Sequence, residues 1–473
     1  MNQNETLSLW RECEVARDCA LGEGKGEKEA HQAAAEKWNA WARDQLERRE
    51  FLERTNKWAA EYCTAFPWSA HDWYAHREVG QNQDTINWLN SARVDFSSLK
   101  FVPKDAEDLN ISVDRDVSRR LNIVESRTVI DFSYFIFPSI VDFHYSEFTG
   151  HVLFKNVAFY DTAGFRRSTF RGFVNFENSV FYRSAWFSRV NFEEAGMFFA
   201  VTFKELARFA AVRFAHDAVF EKTCFESDAF FFQNVFDQRA VFEDATFAGN
   251  VSFHGSKSEG IFGLSRAVFK YMPAFSQIDF KQAPDLDSVI FPRPSFWGRG
   301  EIELIARYRS MRRLAIQGHD YDREQMAFVG ELRSRRWTTD KWYQPALWFS
   351  LAYDAVSDCG RSIARPFMAW FISIAVFAAF YWWSAGLKTV CASSSDHPVG
   401  EALLLSLKNA FVGLSTSRDP RFITAYDCLY SASNGPGEIP LIVTLAEILV
   451  QIPISVSLIF LFLLAIRNRF KIK

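Results

Sequence analysis

A large apolar residue recurs through the middle of the chain at intervals that alternate between five and six. Steps of eleven from Phe132 meet Phe143, Phe154, Phe165, Phe176, Phe187, Phe198, Phe209, Phe220, Phe231, Phe242 and Phe253, then Leu264 and Phe275. A second series runs five residues later, from Phe137 by elevens to Phe247, meets Ser258, and resumes at Phe269, Phe280 and Phe291. Phe occupies 27 of these 29 places, where 49 Phe in 473 residues would put about three by chance. Neither a helix of 3.6-residue period nor a strand of period two keeps one face over such a spacing. A chain that turns a corner after each short strand does, with each Phe pointing inward and the coils stacked about 4.8 Å apart.

The positions around each Phe agree with this reading. Two residues earlier lies a small or β-branched residue, as at Val157, Ala163, Val174, Ala185, Val190, Val201, Ala207, Val212, Ala218, Ala229, Ala240 and Val251. These suit inner corners between large side chains. The positions after Phe are mostly polar and face water. Over His254–Gly263 the pattern fails and returns in phase, which predicts a small loop bulging from the rod.

The stretches AVFEDATF, ARFAAVRF and FVNFENSVF resemble the pentapeptide-repeat family in a phenylalanine-rich form. The resemblance covers residues 128–296 and extends toward Val94-Asp95-Phe96. It implies a right-handed, four-sided β-helix. The extra residue in every second unit predicts coils of about 22 residues, seven or eight in number, with Phe187 and Phe209 as one pair of stacked neighbours.

The ends of such a rod expose unpaired strand edges and need covers. Residues 1–93 supply one, with a long helix expected over AEKWNAWARDQLERREFLERTNKWAAEY. Beyond the solenoid at 94–297, a helical hairpin is expected over 298–343. In it Leu304, Ile305, Tyr308, Met311, Leu314 and Ala315 share one helical face, and Gly318, His319 and Asp320 make the turn.

The C-terminal part, 344–473, reads as a membrane module. Residues 366–387 carry no charge, and residues 439–466 carry one, Glu447. Each run is long enough to span a bilayer, with Trp382 and Trp383 at interface depth. Lys and Arg flank the outer ends of the pair, at Arg361, Arg365, Arg467, Arg469, Lys471 and Lys473. Both termini and the solenoid are therefore expected on the cytoplasmic side, in a bacterial inner membrane. The segment LWFSLAYDAVSDCGRSIARP is expected along the inner surface. Together with the Arg-rich hairpin it resembles the module that follows such repeats in bacterial membrane proteins. The fold class expected is thus mainly β: a four-sided solenoid with helical caps and two C-terminal transmembrane helices.

Composition narrows the function. The net charge of −3 is close to neutral and argues neither for a nucleic-acid binder nor for a disordered acidic chain, and nucleic acid is not an expected partner. Within 128–296 there are 19 Asp/Glu and 16 Lys/Arg, so 16 − 19 = −3. That balance speaks against the acidic DNA mimicry known among pentapeptide-repeat proteins that protect topoisomerases. No P-loop, dinucleotide fingerprint, HExxH or triad is present, and His71 and His76 are spaced for neither a helical nor a strand metal face. No enzyme activity, metal or cofactor is expected. No cleaved secretion signal is visible in the first twenty residues. The sequons at Asn4, Asn110 and Asn250 fall on the side expected to be cytoplasmic.

Two functions remain open. The first is a membrane-tethered scaffold whose rod binds a cytoplasmic protein. The second is a subunit of a homo-oligomeric, two-span channel, because EALLLSLKNAFVGLSTSRDP between the spans resembles a pore helix and its turn. The filter motif TxGYG is absent there, and Arg418 would repel cations. Thr444, Glu447, Gln451 and Ser455 are spaced by three, four and four, which puts them on one helical face. A carboxylate at that depth costs on the order of 2–4 kcal/mol in lipid, so it should face protein or water, and Pro453 should loosen the helix beside it. The stripe either lines an aqueous path or fixes packing against the loop helix through Ser406 or Asn409. Cys391 and Cys428 lie in the loop between the spans and can form a disulfide in an oxidising compartment.

Overall fold

The computed structural model describes residues 1–58, 83–103, 122–126, 128–297, 302–337, 342–386, 397–411, 420–434 and 439–470. Two compact units divide the chain, residues 1–293 with 306–327 and residues 294–305 with 328–473.

The first unit is a four-sided solenoid with helical ends. Among the described residues its strands form four parallel sheets of seven, nine, seven and seven strands. Register advances by 22 residues, as in Phe148, Phe170, Phe192 and Phe214 of one sheet. Most strands are two residues long, too short to hold a sheet by backbone pairing alone. The Phe columns supply the rest. Phe143, Phe154, Phe165, Phe176, Phe187, Phe198, Phe209, Phe220, Phe231 and Phe242 are all 0% exposed. Phe187 and Phe209 stack at 4.7 Å with their rings 1° from parallel, and Phe198 meets Phe209 edge-on at 5.5 Å. Parallel stacking within columns and T-shaped contacts between them suit the ring quadrupole, adding about 0.5–1.5 kcal/mol per pair to burial.

Two residues after each Phe of the first series, the backbone turns left-handed. This recurs at Tyr134, Tyr145, Asn156, Arg167, Asn178, Arg189, Ala200, Ala211, Lys222, Gln233 and Asp244, with φ between 53° and 66°. Such a conformation costs a non-glycine residue about 1–3 kcal/mol and persists only where surroundings hold it. Here the next coil holds it, since Arg189 N donates to Ala210 O at 2.7 Å and Lys222 N to Glu243 O at 2.9 Å. Small hydroxyls near the same corners bind the coils together: Thr223 Oγ1 donates to Phe198 O and Ser256 Oγ to Phe231 O, both at 2.6 Å.

The bulge expected over His254–Gly263 is absent. Lys257–Ser258 is a strand in register with Val235–Phe236 and Asp279–Phe280, and Phe262–Gly263 is the next. Ser258 takes a column position at 0% exposure, and Phe262, also 0% exposed, occupies an inner corner where the preceding coils carry Gly196, Ala218 and Ala240. A large residue displaced to the corner keeps the core filled, so the coil needs no loop.

At the N-terminal end, helices α1 (Gln3–Gly22) and α2 (Glu27–Arg54) cover the first coil, and α3 (Gln83–Ala92) leads into it. The long helix expected over 35–62 begins earlier and ends at Arg54, followed by a left-handed Asn56. Trp38 is fully buried, stacks on Phe135 at 5.3 Å and donates to Ile136 O at 2.8 Å. Asn39 donates to Tyr134 O and accepts from Ile136 N, both at 2.9 Å. The cap thus satisfies backbone groups that an open coil would leave bare. The first coil itself is interrupted: Val94–Asp95 and Leu99–Pro103 pair with the coil containing Val141 and Phe148, and Asn122–Ser126 adds a strand outside Leu99–Pro103.

Helix α4 (Ile302–Gln317) buries Tyr308, Met311, Leu314 and Ala315 as the spacing requires. Within the first unit its Arg307 donates to Asn250 Oδ1 at 3.2 Å and Met272 O at 2.8 Å. The turn at Gly318–Asp320 carries a left-handed His319, and α5 (Tyr321–Arg335) follows.

The second unit contains α6 (Pro345–Ser357), α7 (Ala364–Ala385), α8 (Pro398–Ala410), α9 (Pro420–Asn434), α10 (Leu441–Ala446), a π-helical turn (Glu447–Gln451) and α11 (Ile452–Phe470). Two helices, α7 and the continuous Leu441–Asn468, are long and apolar enough to cross a membrane.

Candidate functional site

The polar stripe lies where the helical spacing puts it, and it faces inward. Glu447, Gln451 and Ser455 are buried and Thr444 is half-buried, while Ile448, Leu449 and Val450 between them are exposed. The π-helical turn runs from Glu447 to Gln451, so the two long polar side chains bracket it; Ile452 N donates to Glu447 O to close it. Pro453, which has no N–H to give, lies two residues beyond the turn and favours this local rearrangement of the ladder.

Each long polar residue of the stripe has a partner on another helix. Tyr426 of α9 donates to Glu447 Oε1 at 2.6 Å, and Asn409 also lies against that carboxylate. Lys408 sits 5.1 Å from the Tyr426 ring centroid. Gln451 donates to Ser406 O and Oγ, both at 2.9 Å, and accepts from Tyr381 of α7. Ser406 in turn donates to Ile374 O at 2.7 Å. Thr444 reaches only Pro440 O, at 3.5 Å, and Ser455 Oγ is buried without a hydrogen-bond partner among the described residues. The expected contact through Ser406 therefore goes to Gln451, and the principal donor to Glu447 is Tyr426. Around this network Tyr381, Ala402, Leu405, Ala425, Leu429, Tyr430 and Val443 form an apolar cluster. The loop helices α8 and α9 are thus fastened to both long helices by buried polar bonds.

Residues 154–201 match the family model described as pentapeptide repeats (9 copies). Over that stretch the β-solenoid is built of pentapeptide repeats. No curated protein and no solved structure matches the chain.

A second polar site lies before the first long helix. Asp354 and Arg336 are both fully buried. Arg333 grips Asp354 with two bonds, at 2.9 and 2.7 Å, and reaches Asp358 at 2.8 Å; Arg336 lies 2.8 Å from Asp354. The same arginines hold the segment 294–296 of that unit, with Arg333 donating to Pro294 O at 2.8 Å and Arg336 to Phe296 O. Burial alone would raise the Asp354 carboxyl, but the two guanidiniums hold it below the ordinary carboxylate range. Nearby, burial pushes the Cys359 thiol up to about 12. The sequence reading passed over this network. Its trace was there in Arg333 and Arg336 three apart and Asp354 and Asp358 four apart, spacings of about one helical turn.

Among the described residues no group of His, Cys, Asp and Glu is placed to hold a metal. His71, His76, Asn110 and the filter-like segment 414–419 lie outside the described residues. Cys428 is disulfide-bonded, whereas Cys13, Cys19, Cys224 and Cys359 are free. Cys391, the partner expected from the sequence, and Cys63 lie outside the described residues.

Proposed function

We propose that this chain is a membrane-anchored scaffold that displays its solenoid as a binding surface, with the rod and both termini on the cytoplasmic side. The observation that carries the reading is the exposure of the two long helices. Only 17% and 22% of their most apolar windows are buried, and Phe371, Ile372, Val376, Trp382, Trp383, Leu449 and Phe460 are among the large side chains left bare. A buried core helix of a soluble protein would cover that surface, and a bilayer covers it equally well. Lys and Arg at the outer ends of both helices support the orientation.

The stripe favours an anchor over a pore. Glu447 and Gln451 spend their hydrogen bonds on Tyr426, Tyr381 and Ser406 within the same chain, which leaves them aimed at protein. The enclosed polar cluster fixes how the loop helices seat between the spans.

Alkaline carbonate extraction of native membranes tests the anchor: the chain stays with the pellet, and release into the supernatant overturns the reading. In planar bilayers the purified chain is silent, and single-channel conductance altered by Glu447→Gln would establish the channel instead. Cys19 is exposed, so a membrane-impermeant maleimide labels it only in inverted vesicles, scored against Cys19→Ser; labelling in right-side-out vesicles overturns the orientation.

A further inference from the structure

Within the second unit, the start of α7 and the later part of α11 border an open groove of about 460 Å³. Ser362, Ile363, Ala364, Phe367 and Phe462 line it, all but the serine apolar. The Phe367 and Phe462 rings meet there at 5.4 Å, and Phe367 is exposed. The turn that leads into the groove is rigidly built. Asp358, Cys359 and Gly360 take successive left-handed conformations, with φ of 51°, 54° and 82°. Arg361 N donates to Asp358 O at 3.2 Å, and Ser362 N to Ser357 O at 3.1 Å. Arg333 holds Asp358 from one side, while Asn468 Nδ2 of α11 donates to Gly360 O at 3.3 Å. Backbone of this kind persists only where its surroundings fix it, and it is frequent at ligand clamps.

Three arginines stand at this place. Arg361 directly precedes the lining residues, Arg365 lies among them, and Arg467 is next to Asn468. All three are exposed, and none has a carboxylate partner among the described residues. The carboxylates just before them, Asp354 and Asp358, are taken by Arg333. Helix α6, which runs into the turn, is amphipathic inside out. Its Ser350 and Asp354 bind Arg336 and Arg333, and Ser357 is buried, whereas Trp348 and Phe349 are exposed. Outward aromatic side chains beside unpaired basic ones suit the boundary between lipid headgroups and acyl chains.

We propose that this groove binds one anionic phospholipid of the inner leaflet. An acyl chain lies along Ile363, Ala364, Phe367 and Phe462, and the headgroup phosphate meets Arg361, Arg365 and Arg467. Planar guanidiniums fork onto phosphate oxygens, and basic residues at the cytoplasmic surface favour anionic over zwitterionic lipid. Free phosphate would satisfy the arginines but leave the apolar groove bare. This inference rests on the membrane-anchor reading and on the orientation proposed with it.

The test is native mass spectrometry of the full chain in detergent, with equal amounts of phosphatidylglycerol and phosphatidylcholine added. A single phosphatidylglycerol should be retained, at least about tenfold more often than phosphatidylcholine. Arg361→Gln, Arg365→Gln and Arg467→Gln together should level the two lipids. These positions are exposed, so the triple variant should fold, which circular dichroism checks. Ala364→Trp fills the groove without changing the charge, and it should lose the retained lipid too; a merely diffuse attraction would survive it. Arg239→Gln, in the rod, removes a charge elsewhere and should leave retention unchanged. Equal retention of the two lipids by the native chain, undiminished preference in the folded triple variant or in folded Ala364→Trp, or displacement of the lipid by inorganic phosphate overturns the proposal. A chain that resists carbonate extraction but shows no lipid preference defeats this inference alone. A chain released by carbonate defeats the anchor reading, whatever its lipid preference.

Discussion

Phe262 fills the interior space that Ser258 leaves open. Ser258 stands in a column between Phe236 and Phe280, and the Phe262 ring reaches both, at 5.8 and 5.0 Å. It also meets Phe253 edge-on at 5.4 Å. The column loses one ring and the neighbouring corner returns it.

The pair should therefore be coupled. Phe262→Ala is expected to cost about 3–5 kcal/mol through the cavity it leaves. Ser258→Phe alone should cost about 1–3 kcal/mol by overpacking against Phe262. Combined, the two changes restore an ordinary column and a small corner, so the double variant should be more stable than either single one. Urea unfolding of all four forms measures the coupling directly; strict additivity would mean the rings do not share the space.

Mid-rod, Phe209 lies between Phe187 and Phe231, at 4.7 and 5.0 Å. Phe209→Asp puts an unpaired carboxylate into a sealed apolar column, and the rod should fail to fold. Glu243→Lys should be tolerated, since Glu243 sits on the surface with 38% of its side chain exposed. Circular dichroism and proteolysis of the two variants distinguish core from surface.

Asp354→Ala leaves two buried guanidiniums without their shared carboxylate, and should destabilise the second unit by about 3–5 kcal/mol. The pH dependence has a definite sign. The folded carboxyl is held below its unfolded pKa of about 4, so its contribution is complete above that value and disappears as pH falls through the lower, folded value. Thermal scans in detergent should show this acid-side loss in the native chain and a shallower one in Asp354→Asn.

Tyr426→Phe removes the hydroxyl that donates to Glu447. A lowered melting temperature is expected, equivalent to about 1–3 kcal/mol, for a buried acceptor left without its donor. Glu447→Gln in the Tyr426→Phe background should recover part of it, because the amide tolerates burial better than the carboxylate.

For the disulfide, the expected pair is Cys391 with Cys428. Cys391→Ser should expose Cys428 to maleimide without any reductant, whereas Cys63→Ser should not. The reverse result would assign Cys428 to the other cysteine.

The solenoid was legible because its periodicity repeats over a dozen half-coils, and the side-chain demand at each Phe is the same. Ser258 misled because a local exception was read as a change of path. The compensation lay four residues on, in a corner column whose members are 22 residues apart and not adjacent in sequence. The stripe was visible as far as its spacing goes, from Thr444 to Ser455. Its partners were not, because Tyr426 and Tyr381 reach it through tertiary packing that no helical period encodes. Arg333, Arg336 and Asp354 were hidden for the same reason: charged residues in an amphipathic hairpin read as solvated until a fully buried Asp354 is found between them.

The left-handed corners have a further meaning. Their backbone is fixed by the coil above and their side chains point away from the core, so Tyr, Asn, Arg, Ala, Lys, Gln and Asp all occupy the same geometry. The rod is in this respect a ruler whose divisions are set by the stacked rings and whose markings can be rewritten one at a time. Selection can therefore move a binding specificity along the ruler, or change its sign, without reopening the problem of how the protein folds.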